Sequence, residues 1–205
     1  MSHDRRPSLS RHHPVHVTLR VLPDVRGLRS VRSFVWIERA FRAAARRADH
    51  ARFVHYSVQG NHIHLIVEAE DRRWLRRHVQ GFEVRVARWL NEINGRRGRV
   101  FADRYHAHVL RTPREAHRAL GYVLRNDVRH FGRRTAFVDP FSSAASFSGW
   151  SSPVRVGWSP TTPGEPLVIA PASWMLRAGW RKHGQIDPFG AEQNSTLAAC
   201  DAVAR

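Results

Sequence analysis

The order in which the hydrophobic residues change their spacing limits the fold of this chain more than any other feature of its sequence. A spacing of two residues predicts strands at 16–22, 53–58, 63–67 and 99–110, and a spacing of three to four predicts helices at 31–48, 74–93 and 113–130. The resulting order, strand, helix, strand, strand, helix, strand, helix, is a split βαβ pattern with one helix added. We therefore predict an α+β fold: a ferredoxin-like antiparallel sheet with helices packed on it.

Turn and capping residues support these boundaries. Gly60 and Asn61 separate the two central strands and are typical of a tight turn or a bulge. Thr112, Pro113 and Glu115 supply an N-cap, a proline at the first helical position and an acidic residue in the first turn. We therefore expect the third helix to begin at Pro113.

The length and composition predict one domain with tails. A chain of 205 residues, 42% of them hydrophobic, can bury one sizeable core. We predict a flexible basic N-terminus at 1–13, a single domain at 14–138, and a linker and irregular C-terminal tail at 139–205. Ser, Pro and Gly dominate up to about residue 166, which is typical of a surface linker, and a short helix is predicted near 172–182.

The charge of the chain favours a polyanionic partner. Its 34 lysine and arginine residues and 17 acidic residues give a formal net charge of +17 and a pI near 11.7. Nucleic acid is the partner that this balance predicts, and a generic charged surface is the alternative. The sequence does not distinguish a monomer from a homodimer.

The sequence indicates a cytoplasmic protein without membrane contacts. The first twenty residues are charged and rich in histidine, and contain no apolar run long enough for a signal peptide or a membrane span. The single cysteine, Cys200, excludes an intramolecular disulfide and a cysteine-based zinc site.

Two histidines alternate with apolar residues in the second central strand. Side chains two residues apart share a face of a strand, so His62 and His64 point together, whereas Ile63 and Leu65 point into a hydrophobic layer. Two imidazoles on one side of a rigid strand can form a pair of metal ligands, and the alternative is a pair of solvent-facing histidines among the 14 of this chain. Glu68 shares their parity but lies roughly 13 Å from His64, so we expect it to be solvated.

The third predicted helix can supply a further ligand. Tyr122 and Asn126 are four residues apart, which predicts that a phenol and an amide oxygen face the sheet together. The other two tyrosines, Tyr56 and Tyr105, fall in predicted strands, where an aromatic side chain ordinarily packs. Tyr122 is therefore the tyrosine that we expect to carry chemistry.

These motifs resemble those of the single-tyrosine HUH transposases, and most closely those of the REP-associated tyrosine transposases. The resemblance covers about residues 14–132 and rests on residues 61–65, 101–105, 122–126 and 129–130. Insertion-sequence relatives typically have Gln four residues after the tyrosine, where Asn126 stands here. The two side chains both offer a carbonyl oxygen.

The resemblance implies a function and a set of site residues. Tyr122 would be the nucleophile, and His62, His64 and Asn126 would bind a divalent metal ion, Mg²⁺ or Mn²⁺. The implied activity is cleavage and rejoining of single-stranded or hairpin DNA through a 5′-phosphotyrosine intermediate. We expect an HUH-type catalytic domain within residues 14–138.

Two groups of arginine residues are candidates for contacts with a phosphate backbone. One group lies in the second predicted helix and the other follows it: Arg72, Arg73, Arg76 and Arg77, then Arg96, Arg97 and Arg99. The alternative is that each of them belongs to a solvated face.

Two other functions are compatible with the same motifs. One is a non-catalytic nucleic-acid-binding protein that keeps the fold of a transposase, in which the basic surface matters and the tyrosine does not. The other is a metal-dependent nuclease that uses an activated water molecule, with Tyr122 as a bystander. A covalent protein–DNA adduct that survives denaturation distinguishes a strand transferase from both.

Overall fold

A computed structural model describes residues 9–25, 27–126, 137–161, 164 and 166–190 of the chain. Four strands form one antiparallel sheet, with the spatial order β2-β3-β1-β4. The strands are β1 (Val15–Arg20), β2 (Ala51–Val58), β3 (His62–Ala69) and β4 (His106–Val109). The two strands at the centre of the sheet are therefore β3 and β1.

Three helices of more than two turns pack against this sheet. They are α1 (Val31–Ala45), α2 (Arg72–Ile93) and α3 (Pro113–Leu124). The element order β1-α1-β2-β3-α2-β4, combined with the spatial order of the strands, is ferredoxin-like. The predicted fold class is confirmed, including the additional helix at the end.

The first core lies between the sheet and the helices α1 and α2. On β1 and β3 it takes the residues of one parity, among them Val17 and Leu65, which are completely buried. Phe41 of α1 and Phe82 of α2 meet there with their ring centroids 4.6 Å apart. Burial of this apolar layer is the main source of stability for the sheet.

The second core lies on the opposite face of the sheet, beneath α3. Residues of α3 and Ile66 of β3 pack there with the C-terminal part of the chain. That part contains a short helix at Trp174–Arg177 and a 3₁₀-helix at Gly179–His183, where a short helix was predicted near 172–182. Trp180 is fully buried in this core.

Helix α3 begins as predicted and ends earlier. Thr112 caps Glu115 N–H, and the Glu115 carboxylate accepts from the backbone N–H of Thr112, so that a complete capping box fixes the start at Pro113. The helix ends at Leu124, and the C-cap Arg125 leaves the helical conformation. The single continuous helix that was predicted is thus interrupted at Arg125, after which Asn126 is again helical. The remainder of the predicted helix, 127–130, falls in the range 127–136, which lies outside the described residues.

Two other predicted elements are longer than those observed. Of the strand predicted at 99–110, only β4 is a regular strand. The chain bends at 102–104, after an isolated bridge between Phe101 and Val21 and before β4 pairs with β1. The helix predicted at 31–48 ends at Ala45, where Arg47 N–H bonds to Ala44 C=O in a tightened last turn.

The segment that follows Asp139 does not behave as a surface linker near its start. Phe141 and Ala144 are buried, and the Ser143 hydroxyl accepts from the backbone N–H of Tyr56 at the edge of β2. Small residues allow this segment to approach the edge of β2 closely, where Val58 N–H also bonds to Phe141 C=O. The segment thus supplies hydrogen-bond acceptors to backbone groups at the edge of β2.

The two ends of the chain are described only in part. Leu9, within the N-terminal segment 1–13 that was predicted to be flexible, packs in the first core. Residues 1–8 and 191–205 lie outside the described residues. Among the described residues, none of the helices combines the length and the apolar character needed to cross a bilayer.

Candidate active site on the α3 face of the sheet

His62 and His64 lie on the same face of β3, as their parity predicted. Their ring centroids are 4.5 Å apart, and the rings are nearly perpendicular. Ile63 and Leu65, which alternate with them, are buried in the first core on the other face. The alternative of two solvent-facing side chains does not hold for His64, which is completely buried.

Tyr122 of α3 lies against His64. The two ring centroids are 5.1 Å apart and the rings meet edge to face. The tyrosine is only 2% exposed, because α3 presses this side of the helix onto the sheet. The structure thus brings the predicted nucleophile and one predicted metal ligand into direct contact.

The other two tyrosines pack, as predicted. Tyr56 is buried in the first core, and burial and the nearby carboxylates of Asp139 and Glu38 raise the pKa of its phenol above the ordinary range. Tyr105 is partly buried against the same core. The ring of Tyr122 contacts a histidine of β3.

Asn126 follows the C-cap of α3 and is 1% exposed. Its side-chain Oδ1 and Nδ2 have no hydrogen-bond partner among the residues that the structure describes. A buried amide that lacks partners costs free energy, which a ligand can recover by accepting or donating there. Because α3 ends before Asn126, the continuous helical face predicted for Tyr122 and Asn126 is interrupted between them.

Sequence reasoning missed two residues of β1 that reach this site. His16 Nε2 lies 3.2 Å from His64 Nδ1, and Thr18 Oγ1 lies 3.2 Å from the same nitrogen. The His16 ring also meets the Tyr122 ring edge to face, with centroids 5.6 Å apart. The parity of β1 could have revealed them, because His16 and Thr18 alternate with Val15 and Val17 as the β3 histidines alternate with their apolar neighbours.

Further basic side chains share this face of the sheet. Arg20 of β1 pairs with His62 in the antiparallel register, so both side chains project on the same side. On the other side of β1, His106 pairs with Thr18 and His108 with His16. The exposed edge of the site is therefore basic or titratable.

Glu68 is not solvated, contrary to the prediction. Its carboxylate is buried and accepts hydrogen bonds of 2.8 Å from the backbone N–H groups of Ala172 and Ser173, with Arg52 Nε 4.0 Å away. The C-terminal part of the chain covers this end of β3. Residues about 100 positions apart in sequence form this contact, so that local parity could not predict it.

The two predicted arginine groups lie at opposite ends of the sheet. Helix α2 starts just after the end of β3, so Arg72 and its neighbours lie about 23 Å along the strand from His62 and in the helical layer behind the sheet. Arg97 and Arg99 precede Val100, whose C=O accepts from Leu22 N–H at the His62 end.

The individual arginines also differ in their contacts. Arg96 forms an ion pair of 2.7 Å with Asp24 and donates to Arg99 C=O, so it links two loops. Arg99 lies 3.5 Å from Asp103 on an exposed surface. Exposed pairs of this kind contribute little to stability and leave the guanidinium accessible.

The donor set that was predicted for a metal ion is two imidazoles and an amide. In the ranges that the structure describes, no three His, Cys, Asp or Glu side chains are grouped so that they could hold a metal ion. A third protein ligand would therefore be of another type, and the buried Oδ1 of Asn126 is such a donor. Two imidazole nitrogens and one carbonyl oxygen suit Mn²⁺ and related divalent ions.

Comparison with solved structures shows a fold similar to that of a known protein. No family model matches the chain, and no curated protein matches it. A solved structure described as a REP-associated tyrosine transposase bound to a REP hairpin is similar, with a TM-score of 0.56 and 15% sequence identity. The similarity covers 71% of this chain and 84% of that one. The chain described here therefore has the fold of a REP-associated tyrosine transposase.

Proposed function

We propose that this protein is a metal-dependent DNA strand transferase that cleaves and rejoins single-stranded, hairpin-forming DNA through Tyr122. The observation that carries the proposal is the contact between Tyr122 and His64, with His62 beside them, on one face of a transposase fold. A tyrosine packed against two histidines provides a nucleophile beside side chains that can bind a metal ion.

Three side chains would hold the metal ion, which we propose to be Mg²⁺ or Mn²⁺. His62 and His64 contribute imidazole nitrogens, and Asn126 contributes the amide oxygen that has no partner among the described residues. When bound, the ion would polarise a non-bridging phosphate oxygen and stabilise the charge of the transition state.

The proposed reaction exchanges one phosphodiester for another. Tyr122 Oη loses its proton and attacks the phosphorus, and the bond from phosphorus to the 3′ oxygen breaks. One part of the DNA leaves with that oxygen protonated as a 3′-hydroxyl, and the other part stays attached to the protein as a 5′-phosphotyrosine. Attack by a second hydroxyl on that phosphotyrosine frees Tyr122 and joins new strands. Because the covalent link keeps the energy of the phosphodiester, no nucleotide cofactor is required.

The charge of the molecule supports a DNA partner. The structural neighbour is bound to a REP hairpin, and the present chain has a formal charge of +17. Arg20 projects beside His62, and Arg97 lies three residues before Val100, whose C=O bonds to Leu22 N–H at the His62 end of the sheet. Phosphate contacts of this kind position a strand without reading its sequence.

The decisive test is a search for a covalent adduct. The full chain is incubated with labelled single-stranded hairpin DNA and Mn²⁺ or Mg²⁺ and then analysed by denaturing electrophoresis. The wild-type chain should give an adduct, and Tyr122→Phe should give none while it still binds the hairpin, because it lacks only the nucleophilic oxygen. Tyr56→Phe, which changes a tyrosine buried in the first core on the other face of the sheet, is the matched control and should keep the adduct.

The burial of Tyr122 favours a second candidate, a DNA-binding protein that does not cleave. A phenol that is 2% exposed reaches a phosphate only after the second core opens around it. Hairpin binding without any adduct from the wild-type chain would support this candidate and contradict the transferase. Cleavage that Tyr122→Phe retains would instead indicate a nuclease that uses water.

A further inference from the structure

We propose that His16 is a positioning residue for the metal site: together with Thr18, it keeps the hydrogen of the His64 ring on Nδ1, so that Nε2 is the metal-binding nitrogen. The inference rests on the proposed function, because it concerns a ligand of the metal ion inferred there. It assigns a role in the site to β1, whose residues contribute no metal ligand.

The geometry on β1 is specific to one atom of His64. His16 Nε2 and Thr18 Oγ1 both lie 3.2 Å from His64 Nδ1. Thr18 is the direct register partner of His64, and His16 reaches it from two residues away on the same face. His16 is 2% exposed and His64 is completely buried, so the contact is shielded from water.

A neutral imidazole carries one N–H and one lone pair, on different nitrogens. A single hydrogen on His64 Nδ1 can be shared between the two equidistant acceptors, His16 Nε2 and Thr18 Oγ1. The lone pair then lies on Nε2, on the opposite side of the ring from these β1 contacts. This arrangement also requires that His16 carries its own hydrogen on Nδ1.

Residues that hold a metal-binding imidazole in this way affect the metal affinity strongly. Loss of such an outer contact typically weakens metal binding about 10–100-fold, because the ring loses its fixed tautomer and orientation. A histidine can pack against the sheet without such a contact: His78, on the other side of the sheet, is partly buried and lies against Phe53 of the first core. His78 therefore provides a control for the replacement of a packed histidine away from the site.

The first experiment needs no metal. In the full chain labelled with ¹⁵N-histidine, long-range ¹H–¹⁵N correlation spectra report which nitrogen of His64 carries the hydrogen. We expect the Nδ1–H form in the wild type, a shift toward the Nε2–H form in His16→Phe, and recovery in His16→Gln, whose amide oxygen can accept. A wild-type His64 in the Nε2–H form, or a tautomer that His16→Phe leaves unchanged, overturns the inference.

The second experiment measures Mn²⁺ binding by electron paramagnetic resonance. We expect an affinity about 10–100-fold lower in His16→Phe, a smaller loss in the isosteric Thr18→Val, and wild-type affinity in His78→Phe. Thermal unfolding identifies any variant that fails to fold, and Thr18→Val carries the test if His16→Phe does so. Wild-type Mn²⁺ affinity in the folded variants overturns this inference alone, whereas a wild-type chain that binds no Mn²⁺ overturns the proposed function together with it.

Discussion

At the scale of single residues, the hydrogen bonds of the buried polar side chains decide what each replacement should do. Most buried polar groups in proteins have hydrogen-bond partners, because an unmade bond costs about 1–3 kcal/mol. His16 Nε2 and His64 Nδ1 meet this rule through each other. The side-chain atoms of Asn126 have no hydrogen-bond partner within the described residues, a cost that binding of a ligand would recover.

Replacing Asn126 should therefore separate stability from activity. In Asn126→Leu, removal of the buried amide should stabilise the metal-free fold by about 1 kcal/mol, or raise the Tm by roughly 2–4 °C, and abolish cleavage. Asn126→Gln keeps the carbonyl oxygen and should retain part of the activity. Thermal unfolding and the hairpin cleavage assay measure the two effects, and a clear loss of stability in Asn126→Leu would contradict this account.

A second residue-scale prediction concerns acid stability. Burial lowers the pKa of His78 from 6.5 to about 4, with a contribution from the charge of Arg85. Between pH 6.5 and 4 the unfolded chain binds a proton that folded His78 does not, so its contribution makes stability fall as the pH falls through this window. From pH 7 to pH 4.5, the free energy of unfolding should therefore fall by about 1–2 kcal/mol less in His78→Phe than in the wild type. The difference is smaller than the full pKa shift implies, because the ring is partly exposed.

Urea unfolding at the two pH values measures this difference. The comparison between wild type and variant is needed because burial raises the pKa of Glu83 to about 7, which acts in the opposite direction. Folded Glu83 keeps a proton that the unfolded chain releases above about pH 4.5, so its contribution to stability falls as the pH rises. Equal pH dependence in the wild type and His78→Phe would show that His78 does not titrate in this way.

At the scale of elements, α3 is the helix whose position matters most for chemistry. Its start is fixed by the capping box of Thr112 and Glu115, and its outer face is covered by Leu176 and Trp180. The helix therefore carries Tyr122 between the sheet and the C-terminal part of the chain. Changes at its ends should alter the site without touching a site residue.

Thr112→Ala tests this dependence. Loss of the cap should cost about 1 kcal/mol and lower the Tm by roughly 2–4 °C, and it should also reduce cleavage because Tyr122 is less firmly placed. Ser30→Ala is the matched control, since Ser30 caps Ser33 N–H at the start of α1 on the other face of the sheet. It should cost similar stability and leave cleavage unchanged at a temperature where both variants are folded.

The elements that the sequence predicts correctly are those whose signals are local. The capping residues placed the start of α3 at Pro113, and the alternation around His62 and His64 placed both rings on one face. The elements predicted wrongly depend on distant contacts. The ends of α3 and β4 are set by where the chain leaves its partners, and the burial of Glu68 is set by residues about 100 positions away.

The candidate site follows the same division. The alternation of residues along β3 predicts which face of the strand carries His62 and His64. Helix α3 packs on that face, and its Tyr122 contacts His64 there. The role proposed for His16 depends on which strand lies next to β3, and no local sequence pattern gives the spatial order of the strands. Pairing of β1 with β3 brought His16 and Thr18 to His64.

At the scale of the whole molecule, positive charge is spread over both sides of the sheet, whereas the candidate site lies on one. The exposed arginines of α2, such as Arg76, lie behind the sheet, and Arg97 and Arg99 lie at the His62 end. The salt dependence of DNA binding reports how many phosphates the protein neutralises. Removing one arginine group at a time therefore shows which of the two groups the DNA contacts.

The double variant Arg97→Ala with Arg99→Ala should weaken hairpin binding and reduce the slope of log affinity against log salt by about 1–2. The matched double variant Arg76→Ala with Arg77→Ala removes the same charge behind the sheet and should leave the slope near the wild-type value. Fluorescence anisotropy over a salt series measures both slopes. A larger effect from the pair in α2 would place the DNA on the opposite side of the molecule.

The second core also has a consequence for biosynthesis. Helix α3 leaves the ribosome well before Trp180 and Ile186, which cover its apolar face. At about 5–20 residues per second, the intervening 60 or so residues take roughly 3–12 s to synthesise, and the apolar face of the nascent helix is uncovered during this time. Chains that end before Ile186 should thus be the species that chaperones retain, and synthesis of the segment up to Ile186 is the step that allows Tyr122 to be buried.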